Sequence, residues 1–589
     1  MRKILPPSLS VLLLTSSMLN ATGAMAAPTD HDSGFTTEQP SMLTPVMGGV
    51  SITPLLTVGD VLRSGYRYEA VPDGISLRTR GHGRVELFVN HETSKVPFPY
   101  NTAAPTAANG ENDFDNAQVS RLTLDRGSAG VLSGSFAISS RSGYQRFCSN
   151  YLATAKEGFD REILFTNEES PDYVLRRTAS WPPALASPAQ KEAGVVVALD
   201  AKTGEHRPIY GMGRHNHENN VPIPGYGKPV VFSGDDTFTS GPLTNPLNPT
   251  GPKLGPAQSQ LYSYIASSTK SLLADRGDLW AFVSDTPGVK NYYDVVPGSG
   301  TNVSGHFIKV PKDIATGRNR NGSELKAADK GYPLPPADTS WQTDLRSATP
   351  VGIDGPQWVL EYWSDINNVF QFVRVEDIAY DKRPGMENVV YIADTGRGRT
   401  AASSQDTPNF KSTNGRVWKM VLDKNDPTIV TSLTVFVEGD DHPVKTLDEV
   451  HQPDNVETTV SGLLLTEDPG SSQQFTAAQQ LADPTNATTA RLWYVPFSGT
   501  PAVVAKVNQS ADGGSTDVDG RAAGNWGAWE STGIVDASAA FGPGAFLINI
   551  QAHTLWVQQA PGDDNNGDGQ PDFTYKREGG QLLLIRIGI

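Results

Sequence analysis

Cysteine is almost missing from this chain, with Cys148 the single example among 589 residues. No intramolecular disulfide can form, so the fold must be held together by its apolar core or by bound metal. A lone cysteine is most often a small buried apolar side chain, but its thiolate is also a good ligand for transition metals. From composition alone, both interpretations of Cys148 remain open.

Long apolar runs are scarce as well. Residues 10–19 are apolar but too few to cross a bilayer, and no later run is long enough. Two basic residues precede this run and Ala24-Met25-Ala26 follows it, which predicts a Sec-type signal peptide over residues 1–26. A twin-arginine signal is missing. We therefore expect an exported, periplasmic or extracellular protein without a membrane span.

Basic residues are too few to balance the acidic ones, and the formal net charge is -16. This charge argues against a nucleic-acid partner, because binding a phosphate backbone requires an excess of positive charge. It suits a protein that binds cations, although ordinary solubility charge explains it equally well. We expect a monomer without a nucleic-acid binding platform.

Glycine and proline are abundant, at 57 and 43 residues, and discourage long helices. From about residue 50 onward, short runs of Val, Ile, Leu, Phe and Tyr, residues 358–362 among them, alternate with Gly, Pro, Asn and Asp clusters. Such punctuation is typical of all-β proteins, and these runs are too numerous for one sandwich but suit a β-propeller. We predict a linker over residues 27–48 and a single propeller domain over residues 49–589, with long loop insertions near 169–192 and 300–344.

Acidic residues stand at the ends of several predicted strands. They form the adjacent pairs Glu168-Glu169, Asp235-Asp236 and Glu467-Asp468, and Asp454 precedes a further strand. Adjacent carboxylates repel one another unless a cation or a proton lies between them. Because strand ends converge on one rim of a propeller, these groups predict a metal site, with solvated turns as the alternative.

Two further clusters carry charge of both signs. Residues 213–218 read GRHNHE and place Glu218 beside two histidines and an arginine, a set that suits a charged ligand. Arg374 and Glu376 are two residues apart, so on an extended chain their side chains share one face. Arg374 could bind an anion while Glu376 holds a metal. The alternative interpretation of residues 213–218 is an ordinary turn, and that of Arg374 and Glu376 is a surface salt bridge.

Near the C-terminus, oxygen ligands recur at alternate positions around Gly569. They are Asp564, Asn566, Asp568 and Asp572. This spacing is typical of calcium-binding loops and predicts a structural calcium ion, with a hairpin turn as the alternative.

Taken in chain order, these segments resemble the PhoX family of secreted bacterial alkaline phosphatases. The matching segments are PDGI at 72–75, NHE at 90–92, Cys148, EE at 168–169, GRHNHE at 213–218, VVFSGDD at 230–236 with LYSY at 261–264, RVED at 374–377, PDN at 453–455 and QAH at 551–553. They span nearly the whole mature chain. The resemblance implies a six-bladed propeller whose central site holds calcium and iron and acts on phosphomonoesters.

The resemblance also implies roles for individual residues. Cys148 would be an iron ligand, Glu218 and Glu376 metal-binding carboxylates of the catalytic centre, and Arg374 the cation that binds phosphate. Further candidate metal ligands are Glu168, Glu169, Asp235, Asp236, Asp454, Glu467 and Asp468. The sequence departs from the family in the residues that follow Cys148, in Asn167, where a cysteine is usual, and in the valine between Arg374 and Glu376.

The expected function is metal-dependent hydrolysis of phosphomonoesters. No Gly-x-Ser-x-Gly motif suggests a serine nucleophile. Two alternatives remain open from the sequence: a non-catalytic calcium-binding propeller, and a phosphodiesterase or phytase-like relative.

Overall fold

A computed structural model describes residues 34–92, 116–170, 173–174, 191–237, 258–335, 354–396, 414–439, 449–468, 488–511, 529–553, 556–558, 573–575 and 579–588. The strands are β1 Leu43–Pro45, β2 Ser51–Thr57, β3 Val71–Arg80, β4 Arg84–Glu92, β5 Gln118–Asp125, β6 Val131–Ile138, β7 Phe147–Ala153, β8 Ile163–Glu168, β9 Tyr173–Val174, β10 Lys191–Glu192, β11 Val196–Asp200, β12 His206–Ile209, β13 His217–Pro222, β14 Val230–Asp235, β15 Leu261–Ile265, β16 Asp278–Ser284, β17 Val303–Lys309, β18 Val375–Tyr380, β19 Val389–Asp394, β20 Arg416–Leu422, β21 Ile429–Glu438, β22 Pro453–Thr458, β23 Gly462–Glu467, β24 Arg491–Pro496, β25 Ala502–Val507, β26 Glu530–Asp536, β27 Ala545–Gln551, β28 Trp556–Gln558, β29 Phe573–Tyr575 and β30 Gly580–Arg586.

Helices are short and few among these residues. They are α1 Thr269–Leu273, α2 Lys312–Thr316, α3 Ala327–Lys330, α4 Pro356–Ile366 and α5 Ser538–Phe541, with single 3-10 turns at Ser140–Ser142, Ala155–Glu157, Tyr210–Met212, Tyr292–Asp294 and Gln509–Ala511. Within the described part of the chain, no helix is long and apolar enough to cross a membrane.

Most strands belong to antiparallel four-stranded groups, which we call blades one to six in chain order. Their strand orders are β3-β4-β5-β6, β7-β8-β11-β12, β13-β14-β15-β16, β18-β19-β20-β21, β22-β23-β24-β25 and β26-β27-β30-β2. Strand β17 joins blades three and four into one nine-stranded sheet, and β1 extends blade five. The first strands of the blades contact one another in a closed ring, β3 to β7, β13, β18, β22, β26 and back to β3. The predicted all-β propeller is confirmed.

Burial follows the position of each strand in its blade. All residues of the inner strands β13 and β22 are buried, because one end of each faces the channel and the rest packs between neighbouring blades. The outer strand β17 alternates instead, with Val303, Gly305 and Phe307 buried and Ser304 and His306 exposed. This period-2 pattern is the one expected for a strand with a single packed face.

The two ends of the described chain close the ring together. Strand β2 pairs with β30, so an N-terminal strand completes the last blade beside C-terminal strands. Leu56 lies opposite Leu582 in this pairing and is fully buried. The stability of the ring therefore depends on apolar packing along β2.

We expect Leu56→Ala to lower the free energy of unfolding by about 2–5 kcal/mol, because it removes buried methyl groups and leaves a cavity at the closure. Ser51→Ala, at the exposed start of the same strand, should change it by less than about 0.5 kcal/mol. Urea unfolding monitored by tryptophan fluorescence measures both. Equal effects of the two substitutions would show that β2 does not close the ring.

Three segments differ from the structure that the sequence predicts. The expected linker includes β1, which pairs with β25, because Met42 and Leu43 are apolar and bury against that blade. The expected insertion near 300–344 contains β17 and two short helices within its described part. The run at 358–362, interpreted as a strand, belongs to α4, which begins at Pro356 and buries Trp358, Val359 and Leu360.

Candidate metal and anion site

The inner strands share an irregularity where each begins. The pairing register with the second strand of the blade shifts between Pro72 and Ile75, Phe147 and Asn150, His217 and Asn220, Val375 and Ile378, Pro453 and Val456, and Thr532 and Ile534. A β-bulge of this kind bends the strand and turns a side chain away from the sheet. The repeated bulges place one polar side chain per blade at corresponding positions of the ring: Asp73, Cys148, Glu218, Glu376, Asp454 and Thr532.

Cys148 lies where two groups of potential metal ligands meet. Ligand atoms of Asp73, Cys148 and Glu218 lie within 4.8 Å of one another, and so do those of Glu92, Cys148 and Glu169. All five side chains are buried. Two such groups that share one thiol are compatible with two neighbouring cations.

Arg374 forms the other half of the site. Its Nε and Nη2 donate to the two carboxylate oxygens of Asp236 at 2.8 and 2.9 Å, and Nη1 lies 3.3 Å from Asp468 Oδ2. The guanidinium also forms an ion pair with Glu376. With 13% of its side chain exposed, Arg374 lies at the edge of the site with carboxylates on several sides.

These residues form one electrostatically connected set, which we call the central cluster. It consists of Asp73, Glu92, Arg146, Cys148, Glu169, Glu218, Asp236, Arg374, Glu376, Asp454, Asp468 and Glu530. Its carboxyl groups far outnumber the guanidinium groups of Arg146 and Arg374. A buried excess of negative charge is costly unless protons or cations neutralise it.

The pKa values of the cluster show this cost. Burial and the nearby charge of Glu92 raise the pKa of Asp73 to about 7. Burial, followed by repulsion from Glu169 and Asp73, raises the pKa of Glu218 well above its ordinary value. Burial also raises the pKa of the Cys148 thiol, with Asp73 and Glu218 adding to the effect. Without a bound cation, the cluster would hold protons at neutral pH.

The donor set suits the predicted metals. Buried carboxylates that lack sufficient positive partners are the ligands that calcium prefers. A thiol whose pKa burial has raised becomes a thiolate ligand only when a metal displaces its proton, which a transition metal such as iron can do. The residues present therefore fit both calcium and iron.

In each adjacent acid pair, one carboxylate belongs to the central cluster and the other binds neighbouring groups of the protein. Glu169, Asp236 and Asp468 belong to the central cluster, whereas Glu168, Asp235 and Glu467 bind the protein itself. Successive side chains on a strand point to opposite faces, so only one member of a pair can face the channel.

The members of these pairs that do not face the channel hold the backbone just before an inner strand. Glu168 accepts hydrogen bonds from the backbone N–H of Gln145 and of Val195, at 2.9 and 3.1 Å. Glu467 accepts from the N–H of His451 at 2.8 Å and forms a buried ion pair with Arg491. Asp394 plays the same part in blade four by accepting from the N–H of Arg374 at 2.9 Å.

Asp235 follows the same pattern. The backbone N–H of Asn216 and the hydroxyl of Thr237 donate to its carboxylate, the latter at 2.8 Å. Glu168, Asp235 and Glu467 therefore support the loops that carry the site, and the structure does not bring them into either ligand group at Cys148.

Sequence reasoning missed several members of the cluster. Asp73, Glu92 and Glu530 were not among the predicted ligands, nor was Arg146 among the predicted cations, although the matching segments include Asp73 and Glu92. A usable signal existed, since Asp73 lies within the first three residues of its strand, as do Cys148, Glu218, Glu376 and Asp454. The predicted calcium loop, Asp564, Asn566, Asp568 and Asp572, lies outside the described residues.

Below the cluster, a layer of uncharged polar side chains crosses the channel. Asn455 donates to the hydroxyl of Ser149 at 3.0 Å, and Thr532 donates to Asn455 at the same distance. Ser149 in turn donates to Glu218 at 3.0 Å. This layer fixes the orientation of Glu218 through neutral hydrogen bonds rather than through counter-charges.

No family model and no curated protein sequence matches this chain. Among solved structures it is similar to a Trypanosoma rangeli sialidase, at 10% identity and a TM-score of 0.32, over 92% of this chain and 60% of that one. The chain thus spans about 60% of that sialidase's length. It is also similar to the computationally designed protein Ika8, at 8% identity and a TM-score of 0.27, over 88% and 96% of the two chains. The intramolecular trans-sialidase from Ruminococcus gnavus gives 8% identity and a TM-score of 0.25, over 90% and 96%. Similarities this low say nothing about activity.

Proposed function

We propose that this protein is a metal-dependent phosphomonoester hydrolase whose active site is the central cluster. One observation carries the proposal: a buried excess of carboxylates and a thiol lies next to an arginine that is held in a fixed orientation. Carboxylates and thiol suit cations, and a guanidinium suits a phosphoryl group, which it can bind through two parallel hydrogen bonds.

Asp73, Glu92, Cys148, Glu169, Glu218, Glu376 and Asp454 are the residues that would hold cations, with iron nearest Cys148 and calcium among the carboxylates. Bound cations would neutralise phosphoryl oxygens and lower the pKa of a coordinated water. The supply of cations would also release Arg374 from part of its carboxylate shell, because Glu376 would then have a metal as its partner.

Arg374 would bind the phosphoryl oxygens and stabilise the charge that they share in the transition state. Asp236 holds its guanidinium plane through two hydrogen bonds, so the group is oriented before substrate arrives. Asp394 fixes the backbone from which Arg374 extends, and Trp418 donates to Asp394 at 3.1 Å. A positioned cation of this kind costs no reorganisation during the reaction.

The close pairing of Arg374 with three carboxylates also supports a second candidate, a non-catalytic cation-binding propeller. In that case the arginine would serve only as a counter-ion. The predicted signal peptide lies outside the described residues, and for either candidate we propose an exported monomer.

Hydrolysis of p-nitrophenyl phosphate and of bis-p-nitrophenyl phosphate at alkaline pH, with calcium and iron supplied or chelated, tests the proposal. We expect metal-dependent turnover with preference for the monoester. Preference for the diester would favour the phosphodiesterase alternative. A folded, metal-loaded protein that hydrolyses neither ester would leave the non-catalytic propeller as the function.

Cys148→Ala should remove bound iron and leave bound calcium largely unchanged, because thiolate is a better ligand for iron than for calcium. Elemental analysis of the purified variant measures both metals. Cys148→Ser, which replaces sulfur by a harder oxygen of similar shape, is the matched control and should also lose iron. Unchanged iron content in Cys148→Ala would mean that the thiol is a buried apolar group.

A further inference from the structure

Arg146 occupies in blade two the position that Arg374 occupies in blade four. Each arginine comes two residues before the inward-facing residue of its inner strand, Cys148 in one case and Glu376 in the other. Neither the composition nor the resemblance draws attention to Arg146. The propeller makes the two residues equivalent by placing them at the same point of their inner strands, with only blade three between them.

Backbone hydrogen bonds establish this equivalence independently of the sequence. The carbonyl of Arg146 accepts from the N–H of Glu169 at 3.0 Å, and the carbonyl of Arg374 accepts from the N–H of Thr395 at 2.8 Å. In each case the donor is the residue that follows the second strand of the blade. Asn216 and Asp236 form the same bond in blade three, at 2.9 Å.

The guanidinium of Arg146 lies beside the ligand group that includes Cys148. Its Nε is 3.4 Å from Glu92 Oε2 and 3.9 Å from Glu169 Oε2. Both distances are longer than those from Arg374 to Asp236, and 36% of the Arg146 side chain is exposed, against 13% for Arg374. Arg146 is therefore the more accessible of the two cations.

The backbone of Arg146 is also unusual, with a φ of 40°. This left-handed conformation is uncommon for a residue with a side chain and tends to persist at functional sites. Here it allows the chain to enter β7 with Arg146 at the rim and Cys148 inside the cluster.

We propose that Arg146 is a second anion-binding residue, which binds the phosphoryl group of the substrate together with Arg374. This inference rests on the proposed function. With Glu92 and Glu169 engaged as metal ligands, their ion pairs with Arg146 would weaken, and its guanidinium would be better able to bind the substrate. The loading of the metal site and the availability of the arginine would thus be coupled.

Two arginines on different blades favour a dianionic ligand. A phosphomonoester carries two charges on its terminal oxygens at alkaline pH, whereas a diester carries one. Each guanidinium can bind a separate terminal oxygen of the monoester. The arrangement therefore selects for phosphomonoesters and for their product, inorganic phosphate.

Titration calorimetry with inorganic phosphate tests this role on the full protein with its metal complement. We expect Arg146→Gln to weaken phosphate binding by about tenfold or more, since a charge-assisted pair of hydrogen bonds is lost. The phosphate affinity of Arg146→Lys should lie between those of Arg146→Gln and the unaltered protein, because lysine keeps the charge but lacks the planar guanidinium. Arg207→Gln, at an exposed arginine of blade two, should bind phosphate like the unaltered protein.

Arg146→Gln should also lower kcat/KM for the monoester more than for the diester, while its metal content stays unchanged. Unaltered phosphate affinity in Arg146→Gln would overturn the inference and leave the proposed function standing. Loss of metal from Arg146→Gln would overturn it too, since the residue would then support the metal ligands. Failure of the unaltered, metal-loaded protein both to bind phosphate and to hydrolyse the monoester would overturn the proposed function itself.

Discussion

We expect Arg374→Ala to lower kcat/KM for p-nitrophenyl phosphate by about 100- to 1,000-fold, the range found when one preorganised group that stabilises developing negative charge is removed. The reason is geometric as well as electrostatic. Asp236 accepts from Nε and Nη2 along one edge of the guanidinium and so holds the group in one orientation before substrate arrives. Steady-state kinetics with the monoester measures the loss.

Arg374→Lys serves as the matched variant for this prediction. It keeps the positive charge between Asp236 and Glu376 but cannot form two parallel hydrogen bonds, so we expect an intermediate rate. Arg207→Ala, at an exposed site, should have full activity. Thermal unfolding and metal content of Arg374→Ala must match the unaltered protein for the kinetic effect to be assigned to substrate binding. Near-normal kcat/KM in a folded Arg374→Ala variant would make the arginine a counter-ion only.

If the central cluster binds cations as proposed, removing them should change how the stability of the protein depends on pH. In the metal-free protein the pKa of Asp73 is about 7 against an ordinary 3.8, and those of Glu218, Glu376 and Asp454 are also raised, first by burial. Between these limits the folded state holds protons that the unfolded state has released. Because of Asp73, the free energy of unfolding therefore falls as pH rises from about 4 to about 7, by about 1.4 kcal/mol per pH unit, and Glu218, Glu376 and Asp454 act in the same direction.

Asp73 alone would contribute on the order of 4 kcal/mol to this loss. Calcium should abolish most of it, because a cation stabilises the ionised carboxylates. Urea unfolding at pH 5 and pH 8, with calcium or with chelator, measures the effect. Groups outside the cluster, such as Glu192, whose pKa burial raises to about 8, contribute with or without calcium. Only the calcium-dependent part of this change in stability reports on the central cluster. If calcium left the pH dependence of the free energy of unfolding unchanged, the central cluster would not be a calcium site.

The sequence was sufficient for the fold because its strand signals are local. Runs such as residues 230–233 and 389–393 are short, rich in β-branched and aromatic residues and bounded by turn residues, and they form strands where predicted. The prediction of a strand at residues 358–362 was wrong because a short apolar run has the same composition in a buried helix and in a buried strand. Pro356, which stands at the first turn of α4, was the signal for a helix.

The candidate site was only partly predictable. Adjacent acids such as Glu168 and Glu169 are equivalent in composition, and strand alternation alone says that one faces the channel without saying which. That choice depends on register, which the hydrogen bond from Gln145 to Glu168 fixes. The role of Arg146 could not be predicted for a different reason, since its equivalence to Arg374 becomes apparent only when the blades are arranged around one axis.

Metal content of the purified protein and of two isosteric variants tests the central claim most directly. Elemental analysis should find calcium and iron in the unaltered protein, and substantially less metal in Glu218→Gln and Glu376→Gln, whose side chains lie inside the central cluster. Glu205→Gln, at an exposed turn, should keep the full complement. The same metal content in all four folded proteins, or none in any of them after both metals are supplied, would contradict a cation site at the ring of inner strands.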